Sequence, residues 1–245
     1  MNWLLLFAAC LIFGQGWGFS PSHIESDFPY RAEWVVDVPD NLEEVFSQPF
    51  SYLAAGSQSY AFVSEDGKYV VKFFRMKHFA LCFKDLFRPA RAAKKRKNVS
   101  EVFGAYKLAY EEMREGAGLI YLHLNRTDFL NRTLQIVDKA GTIFLIDLDT
   151  TLFIVQHKAE PLSAYLERLS PEEREQAIAS LMRLIERRSR LRIGDNDLGV
   201  SQNFGFVEGI PIQIDVGRLY KADVVSAEAE KTRILERIGN KNLTP

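Results

Sequence analysis

The sequence predicts an α+β chain in two lobes: an antiparallel sheet over residues 51–158 and a smaller, mainly helical lobe over 159–240, behind an irregular lead-in over 19–50. Three observations carry that expectation. Short apolar runs of strand length, bounded by turn residues, recur from Tyr52 to Gln156. Ser170-Pro171-Glu172-Glu173 reads as a helix start, with a capping hydroxyl, proline in the first turn and acids near the positive end of the helix dipole. Beyond that helix, Phe204 and Phe206 alternate with Gly205, and Ile210, Ile212 and Ile214 with Pro211 and Gln213, on either side of Glu208-Gly209, which is the pattern of a hairpin.

Taken in order, the chain begins with Trp3–Phe13, an apolar run of eleven residues, short for a bilayer span and followed by Gly14, Gly16 and Gly18. This has the form of a signal peptide cleaved after Gly18, which makes the protein exported or membrane-associated. The alternative is a buried N-terminal helix or strand in a cytoplasmic protein. Residues 19–50 scatter Pro21, Pro29 and Pro39 among acids and predict at most one short helix.

Three strands are expected between Tyr52 and Phe74, with a small-residue loop at Ala54–Ser59 and a turn at Asp66-Gly67. On the third, Val70, Lys72 and Phe74 share a face, so the Lys72 ammonium rises from an apolar surface and needs a counter-ion; an edge lysine with its tip in water is the alternative. His78–Phe87 predicts an amphipathic helix. Arg88, Arg91, Lys94, Lys95, Arg96 and Lys97 then form a basic run, either a solvated face or a contact for anionic lipid or an acidic partner. Val99, Val102, Phe103, Tyr106, Tyr110 and Met113 have helical spacing, with Asn98 or Ser100 as N-cap.

Four more strands follow: Leu119–Leu124, Leu134–Val137, Ile143–Leu148 and Leu152–Gln156, with Asp147 and Asp149 at solvent-facing positions. Gln156-His157-Lys158 leads out of the sheet to helices at Leu162–Leu169 and 170–190. None of His23, His78, His123 and His157 belongs to a ligand or nucleophile cluster. The Glu208-Gly209 turn folds Asn203 beside Asp215, an amide oxygen and a carboxylate of the kind Mg²⁺ prefers when phosphate oxygens complete its octahedron. Asp195 and Asp197, just upstream, face the same place.

Lys72, Asn203 and Asp215, in this order of elements, give the stretch from Tyr52 to Leu219 a pattern that resembles the protein-kinase-like superfamily, including its shorter relatives that phosphorylate small molecules. The resemblance implies a two-lobed protein-kinase-like fold, ATP and Mg²⁺ as cofactors, and phosphoryl transfer to an acceptor. It implies Lys72 on the phosphates, paired with a helix glutamate for which Glu112 is the first candidate, Glu115 and Glu111 following. Asn203 and Asp215 would hold the metal, with Val216 in place of the Phe of Asp-Phe-Gly. Asp195 or Asp197 would take the acceptor's proton, since the family's spacing of five residues before the Asn falls on Leu198. Of the family's three loop glycines only Gly56 is kept, Ala54 and Ser59 occupying the others; Gly56, Ser57 and Ser59 are the candidate nucleotide contacts. The Gln156–Lys158 hinge would meet the base. Only one helix, Ser226–Ile238, is expected in the 28 residues after Gly217, without an A-P-E segment, so the helical lobe is reduced. A kinase-like binding module without catalysis, a pseudokinase, is the alternative function, and an exported interaction protein a third.

A formal charge of −1 argues against a general nucleic-acid binder without excluding a local basic patch; the partners that the resemblance implies are a nucleotide and an unidentified phosphoryl acceptor. Of the two cysteines, Cys10 lies in the signal-like run, leaving Cys82 without an intrachain disulfide partner after cleavage. Asn98, Asn125, Asn131 and Asn242 begin glycosylation sequons, read as coincidence.

Overall fold

A computed structural model describes residues 19–239 apart from Cys82, Leu198 and Ser201. The signal-like run lies outside them. The lead-in carries one short helix, α1 (Leu42–Val45), and the alternating stretch after it folds as β1 (Phe50–Ala55), β2 (Ser59–Ser64) and β3 (Tyr69–Phe74), each antiparallel to the next. After helix α2 (Pro89–Glu112) come β4 (Leu119–His123), β5 (Thr133–Val137), β6 (Ile143–Asp147) and β7 (Phe153–His157). The four expected strands are therefore present. They join the first three in one seven-stranded sheet of order β4-β7-β3-β2-β1-β5-β6. One pairing departs from the antiparallel expectation: β1 and β5 run parallel, Phe50 opposite Ile136. The chain leaves β4, crosses to the far edge for β5 and β6, and returns to place β7 between β4 and β3.

Both faces of the sheet are covered. α2 packs on one, where Phe74 meets Phe103 and Tyr106 at ring separations of 4.8 and 5.5 Å. The lead-in covers the other, with Phe19 edge-on to Tyr60, Phe62 and Phe144, and with Ile24, Val45 and Phe46 buried there. The irregular segment of the sequence is thus half of a core.

α2 begins at Pro89, earlier than the expected caps at Asn98 or Ser100, and absorbs the basic run into its first turns. The preceding stretch forms two 3₁₀ turns, Met76–His78 and Phe83–Phe87, in place of the amphipathic helix. A buried ion pair accounts for the early start. Lys95 Nζ reaches Asp85 Oδ2 at 2.9 Å and the Ala80 carbonyl at 2.6 Å, and Arg91 Nε lies 3.0 Å from Asp85 Oδ1. Lys95 is therefore a core residue rather than part of a docking face.

The second lobe contains β8 (Glu160–Pro161), α3 (Leu162–Glu167), α4 (Pro171–Arg190), β9 (Ile193–Asp195), β10 (Phe204–Val207), β11 (Ile210–Gln213), β12 (Leu219–Lys221) and α5 (Ala227–Gly239). Ser170 and Glu173 form a reciprocal capping box on α4. β10 and β11 make the expected hairpin, with Glu208 (φ 50°) and Gly209 (φ 83°) at its turn. Gly205 sits where β10 crosses β8: a Cβ there would lie 2.5 Å from the Glu160 carbonyl, so no larger residue fits without displacing backbone. Among the described residues, no helix is long and apolar enough to cross a membrane.

Candidate functional site

β3 aims Lys72 at the β10–β11 hairpin. The strand is buried on both faces, and the ammonium emerges on the α2 side beside Phe74, as the alternation predicts. It donates to the Ile214 carbonyl at 2.8 Å. Burial pushes its pKa down, opposed by the Asp215 carboxylate next to that carbonyl. The Ile214 amide in turn donates to the Asn203 carbonyl at 2.7 Å. One residue, Ile214, thus links Lys72, 142 positions away in sequence, to Asn203 and to its own neighbour Asp215 through two hydrogen bonds.

The β1–β2 loop, α2 and the Asp215–Gly217 segment meet at this point. Asp215 is exposed, and its Oδ1 accepts the Gly217 amide at 3.1 Å, leaving Oδ2 without a hydrogen bond among the described residues. Gly217 also meets the β1–β2 loop: the Gln58 Oε1 is 3.1 Å from the position of a Cβ there, and Tyr106 of α2 is 3.6 Å away. Burial and the Asp215 charge both raise the Tyr106 hydroxyl pKa well above its usual value. In the loop itself, Gly56 donates to the Ser59 carbonyl at 2.9 Å, and Arg75 Nη1 donates to the Gly56 carbonyl at 2.7 Å. Gly56 and Ser57 are exposed and Ser59 half-buried, and the Ser57 and Gln58 amides make no hydrogen bond among the described residues.

Asn203 is 5% exposed, and its Nδ2 is a buried donor with no partner among the described residues. Its amide packs against Gly199, 3.0 Å from where a Cβ there would sit. An unpaired buried amide is costly unless a ligand meets it. Turned over about its terminal bond, the same group presents an oxygen, and amide orientation is set by the partner present. An amide oxygen and a carboxylate with a free oxygen fit a magnesium ion that draws its other ligands from phosphate and water.

Three expectations about site residues need correction. Glu112 does not pair with Lys72; it bridges to Lys221 of β12 at the far end of α2. Glu111 pairs with Lys107, and Glu115 lies 3.8 Å from Arg187. The face of α2 against β3 carries Phe103, Tyr106 and Ala109, so its acids lie on other sides. Asp195 is drawn into a polar core: its Oδ2 accepts from Gln213 Nε2 at 2.7 Å and its Oδ1 from the Asp197 amide at 2.8 Å, with Arg188 Nη1 at 3.8 Å. Burial raises its pKa against the Asp197 amide and Arg188. Asp197 is half-buried, and only its Oδ1 is engaged, by the Gly199 amide at 2.8 Å. The hinge amides are also committed, His157 to the Gly118 carbonyl and Lys158 to the Lys68 carbonyl, each at 2.8 Å.

The residues that sequence reasoning missed form the support. Arg188, 2% exposed, donates to Gln213 Oε1 at 2.6 Å and to the Glu230 carboxylate of α5. Gln156, 1% exposed, donates to the Ala117 carbonyl at 2.5 Å and to the Ile214 carbonyl at 3.2 Å, so it shares an acceptor with Lys72. Elsewhere, Asp149 is buried rather than solvent-facing: it accepts the Thr127 hydroxyl and the Leu130 and Asn131 amides, and organises the loop before β5. Asn125 is held on both sides by the Arg31 backbone, which leaves no free amide for a glycan.

No family model matches the sequence, and no curated protein matches it. Among solved structures, the complex of Rv3197 with erythromycin from Mycobacterium tuberculosis is similar, at 17% identity and a TM-score of 0.37 over 82% of this chain. The match covers 54% of that chain, so the present sequence spans about half its length. A likeness of that degree fixes neither family nor ligand.

Proposed function

We propose that the chain binds a magnesium nucleotide between its lobes and transfers a phosphoryl group from ATP to an acceptor, in the manner of the kinase-like superfamily. The observation that carries this reading is the meeting of Lys72, Asn203 and Asp215 around Ile214, from two elements far apart in sequence. In this reading Lys72 releases the Ile214 carbonyl to hold phosphate oxygens, and the Ser57 and Gln58 amides donate to the same group. Asn203 and Asp215 hold magnesium, which when bound neutralises charge on the phosphates. Asp197, with one oxygen uncommitted, accepts the acceptor's proton; Asp195 is the poorer choice because both its oxygens are engaged.

A second reading is favoured by a specific observation. No carboxylate of α2 reaches Lys72, and the aromatic residue Tyr106 lies at this site instead. A chain so arranged binds nucleotide without turning it over. Export through Trp3–Phe13 would set both readings against the scarcity of ATP in extracytoplasmic spaces; mapping the mature N-terminus tests it.

Thermal shift separates binding from its absence. ATP with Mg²⁺ is expected to raise Tm for the wild type and for Glu112→Gln, but not for Lys72→Met or Asp215→Ala. No shift at saturating nucleotide overturns both readings. ADP detected by mass, dependent on Asp197, distinguishes transfer from binding alone.

A further inference from the structure

A concavity lies away from the Lys72–Asp215 site, where the lead-in, the Met76–Phe87 excursion and the first turns of α2 meet. Its volume is about 340 Å³, within the ~300–1,000 Å³ range of small-molecule sites. Its wall is largely apolar: Phe28, Trp34, Phe79, Leu81 and Val99. Trp34 and Phe79 are core residues, 6% and 2% exposed, whereas Leu81 stands 44% exposed at the mouth.

Its charges are unequally committed. Asp27, Arg31 and Arg96 line the cavity, and Arg31 Nη1 lies 3.4 Å from Glu33 Oε1, so Arg96 is the lining cation without an ion-pair partner among the described residues. Arg31 is fixed: its backbone N–H and carbonyl are both held by the Asn125 side chain at 2.9 Å, and its guanidinium stacks on Trp34 at 4.7 Å. Within the basic run, Arg91 and Lys95 pair with Asp85 and Lys97 with Glu101, whereas Arg96, the member of the run that lines the cavity, has no ion pair or hydrogen bond among the described residues. A largely apolar cavity with an uncommitted guanidinium at its edge suits a ligand that is apolar over most of its length and anionic at one end.

We infer that this cavity binds a small amphiphilic anion, its carboxylate, sulfonate or phosphate head on Arg96 and its acyl or aromatic body against Trp34, Phe79, Leu81 and Val99. The site is independent of the nucleotide reading.

The test uses the full chain and the fluorescence of anilinonaphthalene sulfonate, an aromatic body carrying a sulfonate. Saturable binding is expected, with displacement by monomeric decanoate at tenfold or more lower concentration than by decanol, and none by inorganic phosphate. Arg96→Glu and Leu81→Asp should each weaken binding tenfold or more with the thermal midpoint unchanged, and Lys94→Glu, on the same helix but outside the cavity, should leave it as in wild type. Equal displacement by decanol and decanoate overturns the inference, as does wild-type affinity in Arg96→Glu or an equal loss in Lys94→Glu. Binding to anionic phosphatidylglycerol vesicles without binding of free decanoate also overturns it, because the basic helix would then be docking on a membrane surface.

Discussion

Replacing Arg188 by methionine should be among the most damaging single changes in the molecule. The guanidinium is 2% exposed and is the cation between two carboxylates, Asp195 at 3.8 Å and Glu230 in direct contact, whose side chains are themselves 2% and 11% exposed. Taking one partner from a buried ionic cluster costs about 3–5 kcal/mol, because the remaining charges stay desolvated without compensation. That is a large part of a typical total of about 5–15 kcal/mol. With a urea m-value of roughly 2–3 kcal/mol/M, the unfolding midpoint should fall by about 1–2.5 M. The double variant Arg188→Met/Glu230→Met should recover more than half of the loss, because it removes cation and anion together. The pH dependence has a defined sign. Burial raises the Asp195 carboxyl above its usual value while the Asp197 amide and Arg188 oppose it, so stability falls as pH rises from the ordinary aspartate value through the folded one. Without Arg188 the folded value is higher still, and the decline extends to higher pH. Urea titrations followed by both far-UV circular dichroism and tryptophan fluorescence measure all of this. A midpoint change below about 0.3 M in the single variant, or no recovery in the double one, would refute the argument.

Three further outcomes follow from individual contacts. For Asp149, burial raises the carboxyl pKa, but the Thr127, Asn131 and Leu130 hydrogen bonds outweigh it and hold it low. Its stabilisation is therefore present above the ordinary aspartate value and lost as pH falls through the folded one; Asp149→Asn should cost about 1–3 kcal/mol at neutral pH, a difference that narrows in acid when Tm is followed from pH 7 downward. Gly205→Ala places a Cβ 2.5 Å from the Glu160 carbonyl and should lower stability by about 2 kcal/mol or more, read by denaturant midpoint. Glu112→Gln removes a half-exposed bridge to Lys221 and should cost less than about 1 kcal/mol in the same titration.

The parts of the fold that the sequence made legible are those set by local chemistry. The Ser170–Glu173 box, the Glu208-Gly209 turn and the strand alternation in β2 and β3 each carry their reason within a few residues. What was not legible depends on partners far along the chain. α2 starts at Pro89 because Asp85 and Lys95 pair in the interior, and nothing in a basic run announces that one of its lysines is buried. Gln213 alternates with isoleucines, which suggested an outward position, yet it is fully buried while Ile210 is 66% exposed. Both sides of β11 are covered at its Gln213 end, so alternation loses its meaning there. Asp149 was misplaced for a similar reason, because a short 3₁₀ turn follows β6 and breaks the strand's period. Glu112 could have been set aside from sequence alone. At ~100° per residue it lies roughly opposite Phe103 on the helix, and the apolar stripe through Phe103 and Tyr106 is the side that had to face Lys72.

The path of the sheet separates its strands into two groups. β4 and β7 are antiparallel neighbours with His123 opposite Phe153, and between those residues the chain crosses to β5 and β6 at the far edge of the sheet and returns. In connectivity that stretch is an insertion whose ends meet as a cross-strand pair, a gap that a tight turn can close. Joined there, the chain would still trace five consecutive antiparallel neighbours, β4-β7-β3-β2-β1, with Lys72 on the middle one. The β5–β6 hairpin, attached by its parallel edge to β1, is thus an addition at the border of the sheet away from Lys72, and it supplies Leu134, Ile136 and Ile146 to the core beneath the lead-in.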